Sequence, residues 1–231
     1  MWLLGVDTSS KSASVALMRD THLVALVAPR TDEQHSVQLF RNIQDAVKEG
    51  GIGLREIDVY AVANGPGAFT ALRVGLTVIK GLAEVYQKPV VPVSVLEAVC
   101  ESARAEGLLV PIVNAYRGQV FGAVYEKVGG AIHRYRRDWV LTLEDLLKNL
   151  VFEEVKPEQC TLVGPDLESY AERIQATEFA ASRREGTSPV LADAVARRGV
   201  WKFAHGETTD ALHLEANYVR RSDAELLWKG P

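Results

Sequence analysis

The stretch Asn64-Gly65-Pro66-Gly67-Ala68-Phe69-Thr70-Ala71-Leu72-Arg73-Val74-Gly75 joins two kinds of hydrophobic pattern. Before it, residues 59–63 are a short apolar run of strand length, the signature of a buried strand. After it, the chain to about Tyr86 is apolar nearly all round and too long for a strand. Gly65, Pro66 and Gly67 supply the turn between them. A strand feeding a glycine turn and then a helix is the building unit of an α/β fold. The unit does not match the common nucleotide fingerprints. The third glycine of the dinucleotide pattern is replaced by Thr70, the next strand is followed by Ser94 instead of an acid, and the Walker A pattern is absent. What remains is a tight turn and a helix N-terminus, where an anion could sit.

Working outward, residues 3–6, 13–18 and 23–28 read as three short strands joined by tight turns, an antiparallel meander. A helix follows over about 32–49. Thr31 and Gln34 suggest a capping box at its start, Val37, Phe40, Ile43 and Val47 form one apolar stripe, and Gly50-Gly51 ends it. Beyond Tyr86, residues 89–93 read as a strand. Ser94 and Glu97 predict a second capping box, for a helix ending near Gly107. The theme restarts near Leu108. Strands are expected at 109–113, 120–126 and 132–141, a short helix at 142–150, and a strand at 161–163 entering Gly164-Pro165. Ser188-Pro189 would open a last helix to about Phe203. The expectation is an α/β protein of two lobes with mixed sheets, residues 1–107 and 108–219, followed by a polar tail at 220–231.

The chain has 231 residues, of which 47% are hydrophobic and 24% charged, enough for one or two compact cores. The net charge is -4. A protein that grips nucleic acid alone usually carries a basic surplus, so any such role here would be shared with another subunit. Cys100 and Cys160 are not spaced as metal ligands and read as reduced thiols. The N-terminal apolar run is too short for a signal peptide and no segment approaches spanning length, so a cytoplasmic protein without membrane contact is expected.

The turn Asp7-Thr8-Ser9-Ser10 offers hydroxyls, backbone donors and one acid. Such a turn can hold a phosphate and a metal-bound water. The same residue types favour plain β-turns, which is the reading these residues support by themselves. His22, His35, His133, His205 and His213 provide no pair at helical ligand spacing, and no nucleophile motif occurs. Arginine pairs at 183–184, 197–198 and 220–221, and the cluster Arg134, Arg136 and Arg137, read as solvated surface. The long helix after Gly67 is apolar on more faces than a small lobe can hide. With its predecessor it predicts a helical contact surface of Val37, Phe40, Ile43, Val47, Phe69, Thr70, Leu72, Arg73, Leu76 and Ile79.

Leu4-Gly5-Val6-Asp7-Thr8-Ser9, the block Gly65-Pro66-Gly67-x-Phe69-Thr70-x-Leu72-Arg73-Val74-Gly75-Leu76, and Lys80-Gly81-Leu82-Ala83 together resemble the TsaB (YeaZ) family. Arg117-Gly118-Gln119-Val120 and the stretch from Tyr218 to Glu225 agree more weakly. Ala68 stands where the family often has serine, Ala71 where it often has glycine, and Asn114 where it commonly has an acid. The resemblance implies an actin/Hsp70-like (ASKHA, ribonuclease H-like) fold. It implies a non-catalytic subunit in making threonylcarbamoyladenosine next to the anticodon of tRNAs that read codons starting with A. The partners implied are the catalytic subunit TsaD, a small ATPase TsaE, tRNA through the complex, and a second copy of the chain when alone. No cofactor is firmly implied. ATP or ADP with magnesium, at the 7–10 turn or an interface, is the open possibility, and the competing reading is an autonomous ATP-dependent kinase or ATPase of the same superfamily.

Overall fold

The computed structural model describes residues 1–9, 13–28 and 35–220, and in the first helix the side chains from residue 38 on. Strands β1 (Trp2–Asp7), β2 (Ser14–Arg19) and β3 (His22–Val27) form the expected antiparallel meander. Helix α1 (His35–Glu49) leads to β4 (Val59–Gly65), which pairs parallel with β1. Helix α2 (Phe69–Tyr86) leads to β5 (Val90–Ser94), parallel to β4, and α3 (Val95–Ser102) follows. The first sheet therefore runs β3-β2-β1-β4-β5.

The same path is then repeated. Strands β6 (Gly107–Tyr116), β7 (Gln119–Val128) and β8 (Ala131–Thr142) form a second meander, and α4 (Leu143–Phe152) follows. Strand β9 (Cys160–Gly164) is parallel to β6. After α5 (Ala171–Gln175), β10 (Arg183–Gly186) is parallel to β9, and α6 (Ala192–Ala204) closes the pattern. The second sheet runs β10-β9-β6-β7-β8.

Strand alternation sends successive side chains to opposite faces. Leu4 and Val6 of β1 meet Leu39 and Ile43 of α1 and Leu76 and Ile79 of α2 on one face. Leu3 turns to the other, where Ala192, Val195 and Ala196 of α6 lie. Helix α6, inside the 108–219 stretch of the sequence division, thus covers the first sheet, and α3 joins both sheets into one apolar cluster. Leu143, Leu146, Leu147 and Leu150 of α4 cover the second.

Three local expectations need correction. Ser94 makes no side-chain cap and its Oγ instead accepts from the Tyr125 hydroxyl at 3.4 Å, while Glu97 is taken by the buried Arg198, whose Nε and Nη2 donate to Glu97 Oε1 at 3.0 and 2.8 Å. Helix α3 stops at Ser102, short of Gly107, where Lys127 Nζ donates to the carbonyls of Cys100, Glu101 and Ala103. Helix α6 begins at Ala192, beyond Ser188-Pro189, and Ser188 Oγ accepts the Val190 N–H instead. Thr142 does cap α4, accepting the Asp145 N–H at 3.2 Å, a bond of about 1 kcal/mol. The Thr31–Gln34 box and the tail beyond Arg220 lie outside the described residues.

Candidate functional site

Asp7 ends β1 and is fully buried, as is Thr8; Ser9 is 8% exposed, and Ser10 lies outside the described residues. Asp7 Oδ1 accepts the Ser9 N–H at 2.8 Å. Asp7 Oδ2 and Thr8 Oγ1 are buried with no hydrogen-bond partner among the described residues. Burial pushes the Asp7 carboxyl up, and the hydrogen bonds from Ser9 pull the other way with less effect.

The glycine block closes over this turn. A Cβ on Gly67 would meet the Ser9 carbonyl oxygen at 2.7 Å, and one on Gly75 would clash with Thr8 Oγ1. The Ala68 N–H donates to the Ser9 carbonyl at 3.1 Å. Two glycines at this spacing let α2 lie directly on the turn, which explains them by packing. Asp7 and Thr8 are thus enclosed beneath the start of α2. Among the described residues, no three His, Cys, Asp or Glu side chains converge as a metal ion would require.

The predicted helical surface divides in two. Ile43, Val47, Leu72, Leu76 and Ile79 are buried in the chain's own core, so they hold α1 and α2 on the sheet and are not free for a partner. Phe40 (53% exposed), Phe69 (36%), Thr70 and Arg73 face outward. The side chain of Val37 is outside the described residues. Val85, which the predicted surface omitted, adds an exposed apolar side chain at the far end of α2. On α1, Asn42 Nδ2 donates to the Ala13 carbonyl at 2.9 Å and fixes the helix against the β1–β2 connection.

Where α2 begins, the two lobes and the C-terminal segment meet around a cleft of about 590 Å³. Phe69, Tyr116, Arg117, Phe121, Tyr218 and Arg220 are among its walls. Tyr218 packs on Phe69 with ring centroids 4.7 Å apart. The Arg73 guanidinium lies 3.8 Å from the Phe69 centroid and donates to the Tyr218 hydroxyl at 3.1 Å. A second cleft of about 370 Å³ continues from Tyr218 along α2 past Arg73, Thr77 and Lys80. The C-terminal segment is pinned here. Asn217 N–H donates to the Asn64 carbonyl at 2.7 Å, and Asn217 Nδ2 to Asp138 at 2.8 Å. The sequence alone reads Arg220 as solvated surface and does not join it to Arg117, because nothing in local spacing links residues a hundred positions apart.

Among the described residues, no helix is long and apolar enough to cross a membrane. The family model described as TsaD, tRNA N6-adenosine threonylcarbamoyltransferase, matches residues 27–196. The tRNA threonylcarbamoyladenosine biosynthesis protein TsaB of Bacillus subtilis is 27% identical, over 99% of this chain and 98% of its own length. Among solved structures, YeaZ from Pseudomonas aeruginosa superposes with a TM-score of 0.76 at 23% identity, covering 94% of this chain and 99% of that one. The ROK hexokinase from Thermus thermophilus reaches a TM-score of 0.52 at 14% identity, over 88% of this chain and all of that one. The two lobes with mixed sheets are thus of the actin-like class. The chain belongs to the tRNA N6-adenosine threonylcarbamoyltransferase family, and within it to the TsaB (YeaZ) branch.

Proposed function

We propose that this chain is a non-catalytic subunit of the machinery that forms threonylcarbamoyladenosine next to the anticodon of tRNAs reading A-starting codons. The observation that carries the reading is the end-to-end similarity to a protein named for that biosynthesis. The site geometry agrees with a partner role. The one acid in the candidate phosphate turn is enclosed, while α1 and α2 keep an outward face with Phe40, Phe69, Thr70 and Arg73. A catalytic TsaD subunit would dock on that face, and a second copy of this chain would occupy it when TsaD is missing. TsaE would join the assembled pair, tRNA would be met through the complex, and the work would take place in the cytoplasm.

Reconstitution tests this. TsaD and TsaE from the same source are supplied with threonylcarbamoyl-AMP and unmodified tRNA, with and without this chain. Modified adenosine is expected only when the chain is present, and none from the chain alone. Equal product without the chain would remove the proposal.

A further inference from the structure

The chain as a whole has more acids than bases, 30 Asp and Glu against 26 Lys and Arg. The two adjoining clefts invert that balance. Among the described residues, the charged ones on their walls are Arg73, Lys80, Arg117 and Arg220 against Glu215. Among the described residues, Arg73 and Arg220 are steadied by neutral acceptors, the Tyr218 hydroxyl and the Gln119 side-chain carbonyl. Their direction is fixed there without their charge being cancelled. Aromatic faces accompany the charges. Tyr116 and Tyr218 are each 46% exposed at the rim of the larger cleft.

Cations spaced along a groove, with exposed rings between them, suit a strand that alternates phosphates and flat bases. A single free phosphate would use only one of these positions. A duplex keeps its bases stacked and could not use the rings. We propose that the clefts are a contact site for a single-stranded segment of RNA, its phosphates on Lys80, Arg117 and Arg220 and a base stacked on Tyr116 or Tyr218, with Arg73 at the edge shared with the face that TsaD would take. This deepens the tRNA reading above and rests on it. It also fits the acidic overall charge, since a local basic groove can add to another subunit's grip without making the whole chain basic.

The test uses the chain assembled with its catalytic partner, and the chain alone, against a fluorescent single-stranded RNA oligonucleotide over a range of salt. Single-stranded binding loses about 0.7 in log–log salt slope for each phosphate contact. Arg117→Gln combined with Arg220→Gln should reduce the slope by about 1.4 and weaken binding about tenfold near 0.15 M salt. Tyr116→Ala should weaken binding by about tenfold with little change in slope. Circular dichroism and gel filtration confirm that the variants fold and assemble. Unchanged affinity and slope in folded, assembled variants would overturn the site. So would polyglutamate competing as well as RNA, which marks plain polyanion attraction. Competition by free ADP at equal concentration would overturn the strand and indicate a mononucleotide site. Because binding is read without catalysis, its loss is separate from a failure of the reconstitution above.

Discussion

The two lobes follow one plan and end differently. Each sheet begins with a meander whose first strand is central, and each adds two parallel strands beside it. Helices α1 and α4, α2 and α5, and α3 and α6 occupy equivalent places in the chain order. Even the turn is shared, since β4 ends at Gly65 before Pro66 and β9 at Gly164 before Pro165. Yet α2 has 18 residues where α5 has 5. Strand β5 is almost wholly buried where β10 is largely exposed. The central strands and their covers are what both lobes need for a core. The elements that differ are those with an outer face, and the first lobe has the larger one.

The lobes are joined where their equivalent helices α3 and α6 meet, at Glu97, Arg198 and Lys202. Arg198→Ala would leave the buried Glu97 carboxylate with only the longer 3.6 Å contact to Lys202 and should cost about 3 kcal/mol in urea unfolding. The paired change Glu97→Leu with Arg198→Leu should recover most of it. A loss below about 1 kcal/mol for the single change would mean that apolar packing alone couples the lobes. The next effect concerns the outer faces. Phe40→Asp on the first lobe should weaken association with TsaD by about 2 kcal/mol or more, whereas Phe152→Asp, at the exposed tip of α4, should leave it within twofold. Equal losses, measured by titration calorimetry, would break the asymmetry.

Much of this plan is legible in the sequence wherever burial writes a pattern. β1, β2, β4, β6 and β7 carry apolar runs because both their faces are covered. β10 is Arg183-Arg184-Glu185-Gly186, a strand only because β9 offers it an edge, and no local preference announces it. Glu97 has the spacing of a capping box, but a long-range partner claims it, and spacing cannot rank the two. The outer helices were readable as excess hydrophobicity, whereas which side chains stay outside required the fold. The basic cleft was not readable, because its cations come from three separate segments.

Smaller effects sharpen the comparison inside the lobes. Gly75→Ala puts a methyl against Thr8 and should cost about 1–3 kcal/mol, relieved by adding Thr8→Ala. A control on α5, Glu172→Ala at an exposed position, should stay within about 0.5 kcal/mol. The lobes should also differ in pH dependence. Folding raises the Asp7 pKa, so the folded state keeps a proton that the unfolded chain releases. Stability then falls as pH rises from the ordinary carboxylate range through the raised value, and Asp7→Asn should flatten that fall. In the second lobe, the Arg173 guanidinium holds Glu144 down to about 2, through two bonds of 2.8 Å. That contribution is present above the ordinary value of 4.5 and is lost as pH falls toward 2. The pair is surface-screened, so Glu144→Gln should cost only a few tenths of a kcal/mol at neutral pH. Denaturant midpoints of both variants at pH 4 and pH 7 check the opposite signs.

The cover of the first sheet has a consequence for synthesis. Strand β5 is complete at Ser94, but α6, which seals its second face, starts only at Ala192. At about 5–20 residues per second, a ribosome leaves that apolar face without its final partner for roughly 5–20 seconds. A nascent chain of this design spends that interval with Leu3, Ala61 and Val91 short of their neighbours on α6. The interval is a natural opening for a chaperone, and synonymous codons that slow translation between the two lobes would lengthen it.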